Sequence, residues 1–176
     1  MPKARKMLSD WKAPYIQSLM KLIETQSKET LAHWVVDYAE QVLLPIWMEN
    51  GYQGDQRPRA ALNAAREWLA GNIKLPQAKA AILECHAAAR DSEGNPAAQA
   101  AARAIGQSAS TIHSARHCIG LAFYGALAVA YDRLGIATPW NEIEQYAAEE
   151  CRRMESALRA IAVEGEQKPA KIHWKC

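Results

Sequence analysis

The sequence predicts an all-α protein, a compact bundle or array of about seven helices, and three observations carry that prediction. Alanine, the best intrinsic helix former, occurs 34 times in 176 residues. Valine and threonine, which favour strands, are sparse. Apolar residues recur at helical spacing, and several of the segments they form open with a capping residue followed by proline.

The first helix is predicted over "APYIQSLMKLIETQ", where Ile16, Leu19, Met20 and Ile23 share one face. Ser27 is an N-cap for a second helix reaching Asn50, whose stripe includes Leu31, Val35, Tyr38, Val42 and Ile46. Pro45 should kink or end that helix, because it lacks the N–H that bonds one turn back. "GYQGDQRPR" reads as a loop. Asp55 then caps a third helix from Pro58 to Ala70, with Trp68 at the core border and Gly71 as its left-handed stop. A fourth helix runs from Pro76 to about Arg90, where "DSEGN" stops it.

Asn95 and Pro96 open a helical pattern that continues to Arg133, with Gly135 as its stop. That length predicts a break, and Ser114, which can cap a new helix, marks the place. Thr138 and Pro139 open the last helix, to about Val163. The chain reads as one helical domain over residues 1–165 and a flexible tail over 166–176.

The formal charge of +2 and a pI near 8.3 are far from the dense basic footprint of a protein that neutralises many phosphates, so nucleic acid is not the expected partner. The basic ends "MPKARK" and "KPAKIHWKC" read as solvated. Cys85, Cys118, Cys151 and Cys176 lie far apart in a chain large enough to fold without disulfides, which suggests reduced thiols in a cytoplasm. No apolar signal segment follows the first basic residues, and the longest apolar run, "CIGLAFYGALAVAY", is too short to span a membrane. The expectation is a soluble cytoplasmic protein with no membrane partner.

The chemistry turns on "STIHSARHCIG", Ser110 to Gly120. On an unbroken helix His113 and His117 would stand about 5–6 Å apart at Cβ, a separation a metal can bridge. Two ligands do not make a zinc site, and the further candidates by type are His86, Cys85, Glu84, Cys118 and His33. A small metal-dependent enzyme using His86, His113 and His117 is therefore the alternative reading. The preferred one makes these histidines hydrogen-bonded packing residues at a hinge between two helices, with no cofactor and no metal.

Neither H-E-x-x-H nor the zinc-deaminase pattern is present. "GQSAS" lacks the closing glycine of a nucleophile elbow and sits in helix. Gly51 and Gly54 follow no strand and make no phosphate loop. The acids of the last helix, Glu142, Glu144, Glu149, Glu150 and Glu155, lie within reach of Arg152, Arg153 and Arg159 and read as a solvated, ion-paired face. Arg57, Arg59, Arg66, Arg90, Arg103 and Arg116 fall at or near helix ends, and the arginine fork suits carboxylates and helix carbonyls. Internal fastening is the preferred reading for Arg57, Arg90 and Arg103, with a partner's carboxylates or an anion as the alternative.

Taken in order, four segments between Ala39 and Tyr131 resemble the immunity-protein-5-like group of immunity proteins assigned to bacterial polymorphic-toxin systems. D-x-R-P-R falls on Asp55, Arg57, Pro58 and Arg59; A-A-R-x-W on Ala64, Ala65, Arg66 and Trp68; H-A-A-A-R on His86 to Arg90; and T-x-H-x-x-x-H on Thr111, His113 and His117. Members of that group commonly carry proline where this chain has Ala115 and histidine where it has Gln107. The resemblance implies a non-enzymatic protein that neutralises a cognate toxin by direct binding, with the motif residues structural or partner-binding. A homo-oligomer packed through exposed tryptophans is a third possibility.

Overall fold

The computed structural model describes residues 3–174. Helices α1 (Pro14–Ile23), α2 (Lys28–Tyr38), α3 (Leu44–Trp47), α4 (Arg57–Leu69), α5 (Leu75–Asp91), α6 (Pro96–Ser110), α7 (Leu127–Leu134) and α8 (Trp140–Ile161) follow in chain order. A π-helical stretch at Ala39–Leu43 joins α2 and α3 into one rod, a second at Met48–Tyr52 extends it, and another at Leu121–Ala126 leads into α7. The result is all-α, with seven helical rods among the described residues.

α6 is the central member and packs against α2, α3, α4, α5 and α7. From Ala97 to Ser110 every residue is buried except Arg103 and Gln107. A helix that is small and apolar all round belongs in the interior, and its alanines let neighbouring axes come close. Around it Ile16, Leu31, Leu43, Leu62, Ile105, Leu121 and Leu158 join one contiguous core. Trp34 and Trp47 also sit there, because each indole N–H has a carbonyl to bond: Met154 O at 3.0 Å for Trp34 and Asp55 O at 3.0 Å for Trp47.

The local signals mostly act as expected. Ser27 accepts from the Thr30 N–H at 3.1 Å, and Asn95 from the Ala98 N–H at 3.1 Å. Gly71 (φ 80°) and Gly135 (φ 84°) take the positive-φ stops that a side chain would strain. The long pattern after Asn95 breaks where expected: α6 ends at Ser110, and Ser114 (φ −150°, ψ 114°) leads into a 3₁₀ turn over Ala115–Cys118.

Other elements depart from the sequence reading. Pro45 does not end the second rod. The Leu44 N–H bonds Ala39 O, five residues back, and this wider turn accommodates the ring, so the rod continues until Asn50 and Gly51 leave helical geometry. Asp55 is one residue outside the position assigned to it. Gln56 is the N-cap of α4, while the Asp55 carboxylate takes the Arg57 N–H at 3.1 Å and the Arg57 side chain. Thr138 faces backwards, donating to Leu134 O at 2.7 Å, and Pro139 precedes α8. α8 itself ends at Ile161, short of Val163. Glu149, Glu150 and Glu155 are ion-paired with Arg152, Arg153 and Arg159, whereas Glu142 pairs with no arginine among the described residues and Glu144 accepts from Trp140 Nε1 at 2.9 Å; Glu150 is also buried and accepts from Tyr38 Oη at 2.5 Å, which ties α8 to α2.

The N-terminal basic residues described, Lys3 to Lys6, have exposed lysine and arginine side chains but an anchored main chain. Tyr131 Oη donates to Arg5 O at 2.8 Å, and the Leu8 N–H donates to Phe123 O at 2.9 Å. Residues 166–174, read as tail, run past the α1–α2 corner. There the Ala170 N–H donates to Gln26 O at 2.8 Å, and Trp174 Nε1 donates to Glu24 at 2.6 Å. Met1, Pro2, Lys175 and Cys176, the outermost parts of both basic ends, lie outside the described residues. Cys85, Cys118 and Cys151 are free thiols, all buried. Trp11 is the most exposed of the described tryptophans, at 38%. No helix of the described residues is long and apolar enough to cross a membrane.

Candidate functional site

The central helix reaches the surface along one line, Arg103 and Gln107, a single helical turn apart. The histidines singled out in the sequence gather on that line. His86, from α5, packs its Cε1–Nδ1 edge against Gly106: a Cβ there would stand 2.6 Å from His86 Cε1 and 2.8 Å from Nδ1, so only glycine leaves the imidazole its place. Gly120 does the same for Gln107, whose Cγ would be 2.7 Å from an added Cβ. Thus held, Gln107 presents Oε1 to His117 Nδ1 at 2.8 Å. An amide oxygen only accepts, so Nδ1 of His117 carries the proton and its Nε2 holds the lone pair.

The rest of the junction closes on itself. Ser110 Oγ donates to Gly106 O at 2.8 Å, and Thr111 Oγ1 donates to Gln107 O at 3.2 Å. The His113 and His117 rings meet edge to face with centroids 5.2 Å apart. His113 Nδ1 and Arg103 Nε are buried and have no hydrogen-bond partner in the protein.

Burial disfavours the charged form of all three imidazoles, and the charges near them add to the effect. His117 is pushed down to about 4 by burial, then by His113, Arg116 and His86. His86 is lowered by burial, Arg90 and Arg103, and His113 by burial, Lys79 and Lys28. All three are neutral at pH 7.

The other motif residues form separate ties. Arg57 Nη2 bonds Asp55 at 2.7 Å and Asp91 at 3.0 Å, fastening the start of α4 to the end of α5. The Arg57 guanidinium holds the Asp55 carboxyl below its usual range. Arg66 reaches Asp37 at 2.8 Å and Glu40 at 2.5 Å, fastening α4 to the second rod. Arg59 Nη2 contacts Met48 Sδ at 3.2 Å. Trp68 is half-buried with Lys28 Nζ 5.7 Å above its ring, at a cleft of about 340 Å³ that Leu69 and Ile112 also line. Arg90, expected as a fastener, is exposed and pairs with no carboxylate; its place is beside His86.

The arrangement suits fastening better than chemistry. Among the described residues no group of three or more His, Cys, Asp or Glu side chains is placed to hold a metal ion, so His86, His113 and His117 do not form the ligand set of the alternative reading. Burial raises the thiols of Cys85 and Cys151 to about 12 and that of Cys118 as well, the opposite of what a nucleophile needs.

Residues 21–157 match the Imm-5 like putative immunity protein family. The chain belongs to that family. Neither the curated proteins nor the solved structures compared with it gave a match. The Imm-5 like region extends from α1 into α8 and takes in the histidine corner and the ties of Arg57 and Arg66. Sequence reasoning expected all three histidines to be hydrogen-bonded, whereas only His117 is: His113 Nδ1 has no partner, His86 is held by packing against Gly106, and no part was foreseen for Gln107 or Gly120. The signal for the pocket of His86 was present in Gly106, a glycine inside a helix, where it costs about 1 kcal/mol against alanine and therefore asks for a packing reason.

Proposed function

We propose that this Imm-5 like chain is a cytoplasmic immunity protein that neutralises a cognate toxin by direct protein–protein binding, without catalysis of its own. The family match over residues 21–157 carries this reading. The site geometry supports it: imidazoles, Gln107 and two glycines are spent on locking helices together, which makes a rigid body. Rigidity limits the ordering cost of association, and a few anchors on a fixed surface suffice to cover a toxin's active site.

Coexpression with the toxin encoded beside this gene tests the proposal. The expected result is a complex that copurifies and cells that keep growing. Absence of both overturns it.

A further inference from the structure

Five of the eleven arginines, Arg57, Arg66, Arg152, Arg153 and Arg159, each sit within 4.0 Å of a carboxylate. The histidine corner is different. Lys79, Arg90, Arg103 and Arg116 have no ion pair, and all the charged side chains acting on His86 and His113 are cationic. Arg103 Nε, at the open edge of α6, is a buried donor with no acceptor.

The outer face of α5 adds the apolar part. Lys79, Leu83, His86 and Arg90 follow at i, i+4, i+7 and i+11, which places them on one stripe. Leu83 is 65% exposed, well above any other exposed large apolar side chain of the described residues. It stands with cations on either side of it along the helix. Glu84, also exposed, is turned about 100° around the axis from Leu83.

We infer that the outer stripe of α5, backed by the Arg103–His113–His117 edge, is a docking surface for a protein partner bearing carboxylates around an apolar recess that receives Leu83. Charge complementarity selects the partner's sign, since unpaired cations gain most from carboxylates. A protruding aliphatic side chain selects a protein over a nucleic acid, and so does the near balance of 21 basic and 19 acidic residues over the whole chain. The inference deepens the neutralisation reading and takes the toxin as the partner from it.

The test measures the affinity of the purified neighbouring toxin domain for the wild-type chain, Leu83→Glu, the double variant Lys79→Glu/Arg90→Glu, and Arg152→Glu on α8 as control. Leu83, Lys79 and Arg90 are exposed, so melting curves should show every variant folded. Expected are a loss of about 30-fold or more for Leu83→Glu, a similar loss with slower association for the double variant, and no change for the control. If the wild type binds and the α5 variants bind within about 3-fold of it, the surface is wrong and the neutralisation reading stands. If the wild type does not bind, both fall. A single-stranded oligonucleotide bound more tightly than the toxin domain, and lost in the double variant, makes the surface a nucleic-acid site and also overturns the inference.

Discussion

The carboxamide oxygen of Gln107 and Nδ1 of His117 meet at 2.8 Å, and this bond joins the last full turn of α6 to the 3₁₀ turn that follows it. Gln107→Ala removes the acceptor and leaves a half-buried N–H unsatisfied. The expected cost is about 1–3 kcal/mol, read as a lower midpoint in urea or heat.

Gly106 gives a sharper test, because helix propensity and packing predict opposite signs. Alanine in a helix interior is favoured over glycine by about 1 kcal/mol. Here its Cβ would lie 2.6 Å from the His86 ring, so Gly106→Ala should destabilise. Adding His86→Ala should remove much of that penalty. A double-mutant cycle showing strong coupling between the two positions is the expected outcome; a stabilised Gly106→Ala protein would contradict it.

The buried imidazoles also set a pH dependence. Their folded pKa values lie below the unfolded value of 6.5, reaching about 4 for His117. Between those limits the unfolded chain binds more protons, so stability is fully present above pH 6.5 and falls as pH drops towards 4. His117→Asn should make the loss over that window shallower, measured by denaturation at a series of pH values. The Asp55 carboxyl, lowered from 3.8 by Arg57, contributes only at still lower pH.

Tyr38 and Glu150 form the tie between the second rod and α8. Tyr38→Phe keeps the ring and removes the donor, leaving the buried carboxylate with Arg153 as its ion-pair partner at 3.0 Å. A loss of about 1–3 kcal/mol is expected at neutral pH.

How much of this the sequence carries depends on the range over which each interaction acts. Ser27, Asn95, Gly71 and Gly135 bound their helices as expected because a cap or a positive-φ stop is decided within about four residues. The break at Ser114 is equally local. Pro45 does not end its rod because the Leu44 N–H bonds Ala39 O five residues back, a π-turn that the apolar pattern does not announce. His86, His113 and His117 are recognisable as a group by residue type, but nothing local reveals that Gln107 is their hinge partner or that Gly120 makes room for it. Those contacts join residues 10 and 13 positions apart across a helix break. Arg90 and Arg103 were read as fasteners because arginine usually finds a carboxylate; only the packed structure shows that none is placed there.

The three interior thiols turn the molecule into its own gauge of opening. Cys85, Cys118 and Cys151 are fully enclosed at separate points of the core, and burial keeps each protonated and unreactive. In a Cys176→Ser background, uptake of a thiol-specific label therefore proceeds only through excursions that part the helices around one of these atoms. Comparing the three labelling rates distinguishes breathing of a single corner from collapse of the whole assembly, and a bound protein that damps those excursions would register as slowed labelling without touching a sulfur.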